Sequence, residues 1–243
     1  MKLFENLLFF ISVPKCVFCG ERLSREERAL CASCLLEYEN EKMNECSICF
    51  KTLSECSCPN KFLDAHYIHK LIKVFRYSPE ANLPTNNLIY SLKKDNRTDV
   101  IDLLSDELVV AIKNSIKDPQ SYIFTSIPRR KKSIIKYGID HAAVLSKAVA
   151  KKLEADYVPL LKSKSKKEQK KSKSREERLK NAVFELKDEK AELIEKKVII
   201  VDDIVTSGAS MASAAMNIKS TGAKSVVGAV LSIAYKDEKS LIL

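Results

Sequence analysis

The stretch Val198-Ile-Ile-Val-Asp-Asp-Ile-Val-Thr-Ser-Gly-Ala-Ser210 decides how this chain reads. Its first four residues are apolar and β-branched, which suits a strand covered on both faces of a parallel sheet. Asp202 and Asp203 follow at the carboxyl end of that strand, where open α/β sheets bind their ligands. Thr206, Ser207, Gly208, Ala209 and Ser210 then offer backbone N–H groups and hydroxyls with little side-chain bulk, ahead of a helical run from Met211 to Thr221. Such a turn can wrap a phosphate at a helix N-terminus. Two carboxylates beside that cup would repel the same anion unless they engage sugar hydroxyls or a divalent cation. The pattern therefore implies a phosphorylated sugar held with magnesium. A scaffold strand with a polar turn would leave two adjacent aspartates at a buried strand end without partners, which is costly. Neither the Gly-Lys-Ser/Thr ending of a P-loop nor G-x-G-x-x-G is present. A phosphoacceptor receiver domain, which also opens with an acidic pair, needs more chain than the 40 residues after Asp203.

Working outward, the cysteines divide the 243-residue chain. All 8 lie between positions 16 and 58, as Cys16-x2-Cys19, Cys31-x2-Cys34, Cys46-x2-Cys49 and Cys56-x-Cys58. Paired cysteines at this spacing suit tetrahedral zinc–thiolate sites. The simplest pairing gives Cys16, Cys19, Cys31 and Cys34 to one zinc and Cys46, Cys49, Cys56 and Cys58 to a second. Cys-x-Cys is an unusual half-site, so one ion or two stays open. Gly20 lets the first hairpin curl its amides toward sulfur, whereas Phe50 stands at the matching place of the second. The rival framework, disulfides, requires an oxidising compartment. The N-terminal run Leu3 to Val13 contains Glu5 and Asn6, lacks a small-residue cleavage site and is too short to span a bilayer. The expectation is a cytoplasmic zinc protein with no membrane insertion, organised as a double zinc ribbon over residues 1–60 and a second domain over 61–243.

Charge follows the same division. Residues 1–60 carry a net charge of −2, so the remainder carries +12 of a formal total of +10. The densest part, Lys162 to Arg175, holds 8 basic residues and one acid, Glu168. On composition such a run is a solvated surface segment. Near a phosphate site it could also clamp pyrophosphate or draw in a nucleic-acid backbone. With no tryptophan and 7% aromatic residues there are few base-stacking platforms, so single-strand binding, if any, would be nonspecific.

Periodicity gives alternating elements after residue 61. His69 to Tyr77 reads as a strand and Leu83 to Lys94 as a helix. Thr98 would cap a helix running to about Ile116, and Ser121 to Ile127 reads as a strand closed by Pro128. Asp140 would cap a helix to about Ala155, followed by a short strand near Tyr157 to Leu161. Ser174-Arg-Glu-Glu177 reads as a capping box, and Ala182 to Leu186 and Val226 to Ile233 as further extended segments. This alternation predicts an α/β domain with a parallel sheet flanked by helices.

The segment Val198 to Ser210 resembles the 5-phosphoribosyl-1-pyrophosphate (PRPP) motif of type I phosphoribosyltransferases. That resemblance implies that Asp202 and Asp203 contact the ribose hydroxyls and that Thr206 to Ser210 hold the 5′-phosphate. Cysteine ribbons followed by such a domain are similar to the ComF family of competence-associated proteins over nearly the whole chain. Within that likeness Ile127-Pro128-Arg129 corresponds to the loop approaching pyrophosphate, and Lys93 and Lys94 to a lysine-bearing helix end. Ser174, Arg178, Asn181 and Phe184 match a downstream pattern. Where the family has Arg-Gly-Phe/Tyr-Asn this chain has Tyr137-Gly138-Ile139-Asp140, so an arginine is missing, with Arg129, Arg130, Lys131, Lys132 and Lys136 close by.

The implied reaction displaces pyrophosphate from PRPP, with magnesium and fixed donors stabilising charge at the sugar and the leaving group. Asp202, Asp203 and Arg129 would carry it. No residue identifies the acceptor. The alternative, from a different class, is a non-catalytic single-stranded DNA module acting in DNA uptake, with the zinc ribbons docking a partner such as a DNA-translocating helicase.

Overall fold

The computed structural model describes residues 14–46, 48–78, 80–129, 134–135, 138–164, 179, 184–188 and 193–234. Four strands form one sheet: β1 (Ile68–Arg76), β2 (Tyr122–Ser126), β5 (Lys197–Val205) and β6 (Ser225–Ile233), in the order β1-β6-β5-β2 with every pairing parallel. A two-stranded antiparallel ribbon, β3 (Leu161–Ser163) with β4 (Phe184–Leu186), stands apart from it. The helices are α1 (Ala32–Lys42), the short α2 (Lys61–Asp64), α3 (Pro84–Lys94), α4 (Thr98–Ser115), α5 (His141–Lys152) and α6 (Ala209–Lys219).

Alternation along β5 explains why helices cover both sides of the sheet. Val198, Ile199, Ile200 and Val201 are all wholly buried. Val198 and Ile200 pack with Met211, Ala212, Ala215 and Ile218 of α6. Ile199 and Val201 pack with Leu104 and Leu108 of α4 and with Leu145 and Val149 of α5. Successive strand residues point to opposite faces, so an unbroken apolar run needs cover on both.

Several local readings shift by a residue or two. Thr98 begins α4 rather than capping it, because Arg97 is the cap residue and no side chain caps that end. Asp140 does cap α5, its Oδ1 accepting from the Ala143 N–H at 3.3 Å. Pro84 opens α3 at a first-turn position where a missing N–H costs nothing. The expected strand near Tyr157 is one parallel bridge to Phe124, with β3 beginning at Leu161. The helix expected from Met211 starts at Ala209, which moves two small residues of the phosphate turn into the helix. The capping box at Ser174 and the residues Arg178 and Asn181 lie outside the described residues, as does Leu3 to Val13.

The cysteine-bearing segment contributes to both cores. Cys16, Leu23, Leu30, Cys34 and Tyr38 join the cluster under α4 and α5, while Cys46, Leu53 and Cys56 join the cluster under α6. The segment thus wraps the edge strand β1, whose Leu71 N–H donates to the Ser57 carbonyl at 2.9 Å. Covering an edge in this way removes a row of unpaired backbone groups from solvent. No helix among the described residues is long and apolar enough to cross a membrane.

Tyr38 anchors α1 against β1. It is 0% exposed and its ring meets Phe75 edge-on, with centroids 6.0 Å apart. Its hydroxyl is buried without a hydrogen-bond partner. Tyr38→Phe should keep the packing and remove the unsatisfied group, holding or raising the melting temperature. Tyr38→Ala should cost about 3–5 kcal/mol, the usual loss for a buried aromatic. Thermal and urea unfolding of the two variants checks the contrast.

Candidate functional site

The acid pair lies where two neighbouring strands send the chain in opposite directions. From β2 the chain runs through α5 to the Tyr157 bridge on the outer side, whereas from β5 it runs through α6 to β6 on the inner side. Ligand crevices of open α/β sheets form at such switch points. Pairing between β2 and β5 ends at Ser126 with Val201, while β5 continues beside β6 to Val205 with Ile233. Asp202 and Asp203 are therefore the first β5 residues beyond the end of β2. The strand is longer than the four apolar residues suggested, and the acids sit within its last turnless stretch rather than after it.

Two other segments converge on Asp203, which is 8% exposed. Lys93, at the end of α3, places Nζ 3.1 Å from its Oδ2. Arg129, three residues past β2, places Nη2 3.5 Å from the same oxygen. Its own Oδ1 accepts the Ile204 N–H at 2.7 Å. Asp202 is half-buried, and its Oδ1 accepts the Asp203 N–H at 2.9 Å. Burial, followed by the adjacent Asp203 charge, holds the Asp202 carboxyl well above the usual carboxylate range.

Arg129 is tied to the start of α5. Its N–H donates to Asp140 Oδ2 at 3.1 Å, so the carboxylate that caps α5 also holds residue 129. Lys94, by contrast, turns to the Tyr90 hydroxyl at 3.0 Å and does not reach the acids. Arg130, Lys131, Lys132, Lys136 and Tyr137 lie outside the described residues.

His141, the first residue of α5, is a neighbour the sequence reading passed over. It is 2% exposed, with Nε2 buried and unpartnered. Burial, then the nearby Arg129 charge, keeps its imidazole below the ordinary value and so neutral at pH 7. The available signal was its place directly after a capping aspartate at the end of the basic loop.

The turn at Gly208 has a specific backbone cause. Gly208 is the cap residue of α6, with φ of 81° in the left-handed region. A Cβ there would lie 3.0 Å from Leu63 Cδ2. Leu63 belongs to α2, whose N–H is accepted by the buried Asn60 side chain at 2.8 Å. The turn is thus pressed against a helix that directly follows the cysteine segment. Thr206 is exposed, Ser207 and Ser210 half-buried, and Ala209 buried. The Ser207 hydroxyl accepts weakly from the Ala209 N–H at 3.4 Å. The helix ladder of α6 begins with the Ala212 N–H on the Gly208 carbonyl at 2.8 Å, and a helix N-terminus carries partial positive charge that favours an anion.

The cysteines form two tetrads matching the simplest pairing: Cys16, Cys19, Cys31 with Cys34, and Cys46, Cys49, Cys56 with Cys58. Within each the sulfur atoms lie within 4.8 Å of one another, and all 8 are free thiols. The hairpins curl alike, with Gly20 N–H to Cys16 carbonyl at 3.1 Å and Phe50 N–H to Cys46 carbonyl at 2.8 Å. Phe50 adopts φ of 57° where the first hairpin uses glycine. The Ser33 hydroxyl lowers Cys31 to about 6. Against the opposing effect of burial, the Cys49 and Ile48 N–H groups lower Cys46 to about 7. Both tetrads are fitted to hold a zinc ion through thiolates.

Two outcomes follow from this geometry. Because the folded state holds the Asp202 proton at pH values where the unfolded chain has lost it, ionisation above about pH 4 costs stability. Asp202→Asn should therefore be more stable than wild type, by a margin that grows as pH rises from about 4. Urea unfolding at several pH values measures this, and a margin independent of pH would contradict it. Gly208→Ala should cost about 1–2 kcal/mol from the left-handed backbone, and more if Leu63 cannot yield.

Residues 138–241 match the family model for the phosphoribosyl transferase domain. Among solved structures, the chain is similar to a hypoxanthine phosphoribosyltransferase from Staphylococcus aureus, with 13% identity and a TM-score of 0.37, covering 55% of this chain and 62% of that one. It thus spans less than two thirds of that protein. It is also similar to the adenine phosphoribosyltransferase of Saccharomyces cerevisiae (16% identity, TM-score 0.36, 64% of this chain and 72% of that one). A third is the adenine phosphoribosyltransferase of Leishmania tarentolae (14% identity, TM-score 0.36, 60% and 74%). No curated protein matches the chain. The family match falls on the segment carrying α5, β5, the acid pair and the α6 turn. Together with the helix-covered parallel sheet it makes this a phosphoribosyltransferase-type α/β fold.

Proposed function

We propose that the crevice between β2 and β5 binds PRPP or a related phosphorylated ribose, and that the chain transfers or recognises the phosphoribosyl group. The observation that carries this reading is the left-handed Gly208 turn opening α6 five residues beyond the acid pair, at the switch point of the sheet. The N–H groups of Thr206 to Ser210 would take the 5′-phosphate, and Asp202 and Asp203 the ribose hydroxyls. Magnesium, when bound with the ligand, would neutralise pyrophosphate charge. Arg129 and Lys93 stand close enough to Asp203 to exchange that carboxylate for a pyrophosphate oxygen as the ligand enters. The Asp203 carboxylate favours positive charge developing on the sugar ring, while Asp202 offers a hydrogen-bonding group to the ribose hydroxyls.

The two cysteine tetrads ahead of this domain support placing the chain with the ComF family, and with it a role in DNA uptake. A second reading, retention of single-stranded DNA, draws on the +12 charge outside residues 1–60. Of the basic run, Lys162 and Lys164 are described, and both contact Glu185 across the β3–β4 ribbon, which halves what they offer a polyanion. The remaining lysines of that run lie outside the described residues.

Titration calorimetry with PRPP and magnesium is expected to show binding by the wild type. Asp202→Asn combined with Asp203→Asn should weaken it about 100-fold or more, equivalent to about 2.8 kcal/mol. Equal affinities would refute the reading. Pyrophosphate release with a panel of bases would mark an enzyme, and salt-sensitive retention of an oligonucleotide without turnover would mark the DNA module.

A further inference from the structure

β1 carries a charge in its middle. Lys73 is 2% exposed, between Ile72 and Val74, each 0% exposed. Its Nζ donates to the Cys58 carbonyl at 2.9 Å and to the Leu71 carbonyl at 3.3 Å. Among the described residues no carboxylate pairs with it. An ammonium buried without a counter-ion costs several kcal/mol, so such a group ordinarily has an anion beside it.

The second cysteine tetrad stands where that anion belongs. The Lys73 ammonium is bonded to the carbonyl of Cys58, itself a member of the group Cys46, Cys49, Cys56 and Cys58 whose sulfur atoms lie within 4.8 Å of one another. The strand grips the Cys56-Ser57-Cys58 segment on both sides, through the Lys73 contact to the Cys58 carbonyl and the Leu71 N–H to the Ser57 carbonyl at 2.9 Å. Four thiolates around a divalent metal leave a net dianion, and one buried cation removes half of it. Among the described residues Lys73 is the one lysine or arginine that is buried, so the first tetrad has no such partner there. Arg97, which donates to the Lys15 carbonyl at 2.6 Å, is already paired with Asp99 at 2.6 Å.

We infer that Lys73 is the internal counter-cation of a divalent-metal tetrathiolate at Cys46, Cys49, Cys56 and Cys58, and that metal at this tetrad is a structural requirement of the sheet. Metal here stabilises β1 directly by giving its buried ammonium a partner, while metal at the first tetrad reaches β1 only through packing, as where Tyr38 of α1 meets Phe75. Lys73 acts as a positioning residue for the ligands, since hydrogen bonds just outside a metal's ligands set their orientation and affinity. The inference is independent of what occupies the crevice, and its test reads metal and backbone protection rather than turnover.

The first arm uses full-length protein carrying Cys16→Ser, so that only the second tetrad is intact, and measures zinc affinity by competition with a chromophoric chelator. Adding Lys73→Met, which keeps the volume and removes the charge, should weaken zinc about tenfold or more, within the usual range for loss of such a partner. Unchanged affinity overturns the inference. The second arm leaves Lys73 in place. Chelating zinc from wild type should raise amide hydrogen exchange across Leu71 to Phe75 by about tenfold or more, whereas Cys16→Ser alone should leave those amides protected. Protection of β1 that survives chelation, or a second tetrad that takes no zinc, overturns it equally.

Discussion

A single carboxylate, Asp203, organises the carboxyl end of the sheet. It is nearly buried and meets cations from two other parts of the chain, Lys93 at the end of α3 and Arg129 after β2. Asp203 is nearly buried while Lys93 and Arg129 are half-buried, so removing both cations would leave a carboxylate unpaired in a site with little access to water. The pairings therefore hold three elements in register around one point. They also keep positive charge beside the Gly208 turn. On the proposed reading, entry of a pyrophosphate-bearing ligand would exchange one anion for another around the same two cations.

The same economy of charge operates at the opposite edge of the sheet. Lys73 is buried in β1, and its surroundings make sense once the second tetrad is anionic. The cysteine segment also reaches the crevice by a packing route. Leu63, held by the Asn60 cap of α2, lies against the position where Gly208 has no side chain. The Gly208 turn thus takes its shape partly from residues that follow directly on the cysteines, and the segment shares both hydrophobic cores with the sheet.

Much of this was legible in the sequence because it is local. Four β-branched residues specify a strand covered on both faces, and a glycine after hydroxyl residues specifies the turn that opens α6. Cysteine spacing specifies the tetrads. What escaped the sequence is whatever depends on distant partners. Nothing near Asp203 says that Lys93 will meet it while Lys94 turns away to Tyr90. His141 reads as an ordinary first-turn residue until α5 packs it beside Arg129. Phe50 stands where the first hairpin has Gly20, and its N–H bond to the Cys46 carbonyl accompanies the left-handed backbone that Gly20 reaches without cost. Lys73 did leave a trace, as a lysine inside an apolar strand pattern, but only its contact with Cys58 gives that trace a meaning.

A crystal soaked with PRPP and magnesium tests the central claim most directly. The account predicts the 5′-phosphate on the N–H groups of the Gly208 turn, the ribose hydroxyls against Asp202 and Asp203, and Arg129 or Lys93 moved from Asp203 onto pyrophosphate. Density for the ligand elsewhere, with Asp203 still locked to both cations and the turn empty, would contradict it.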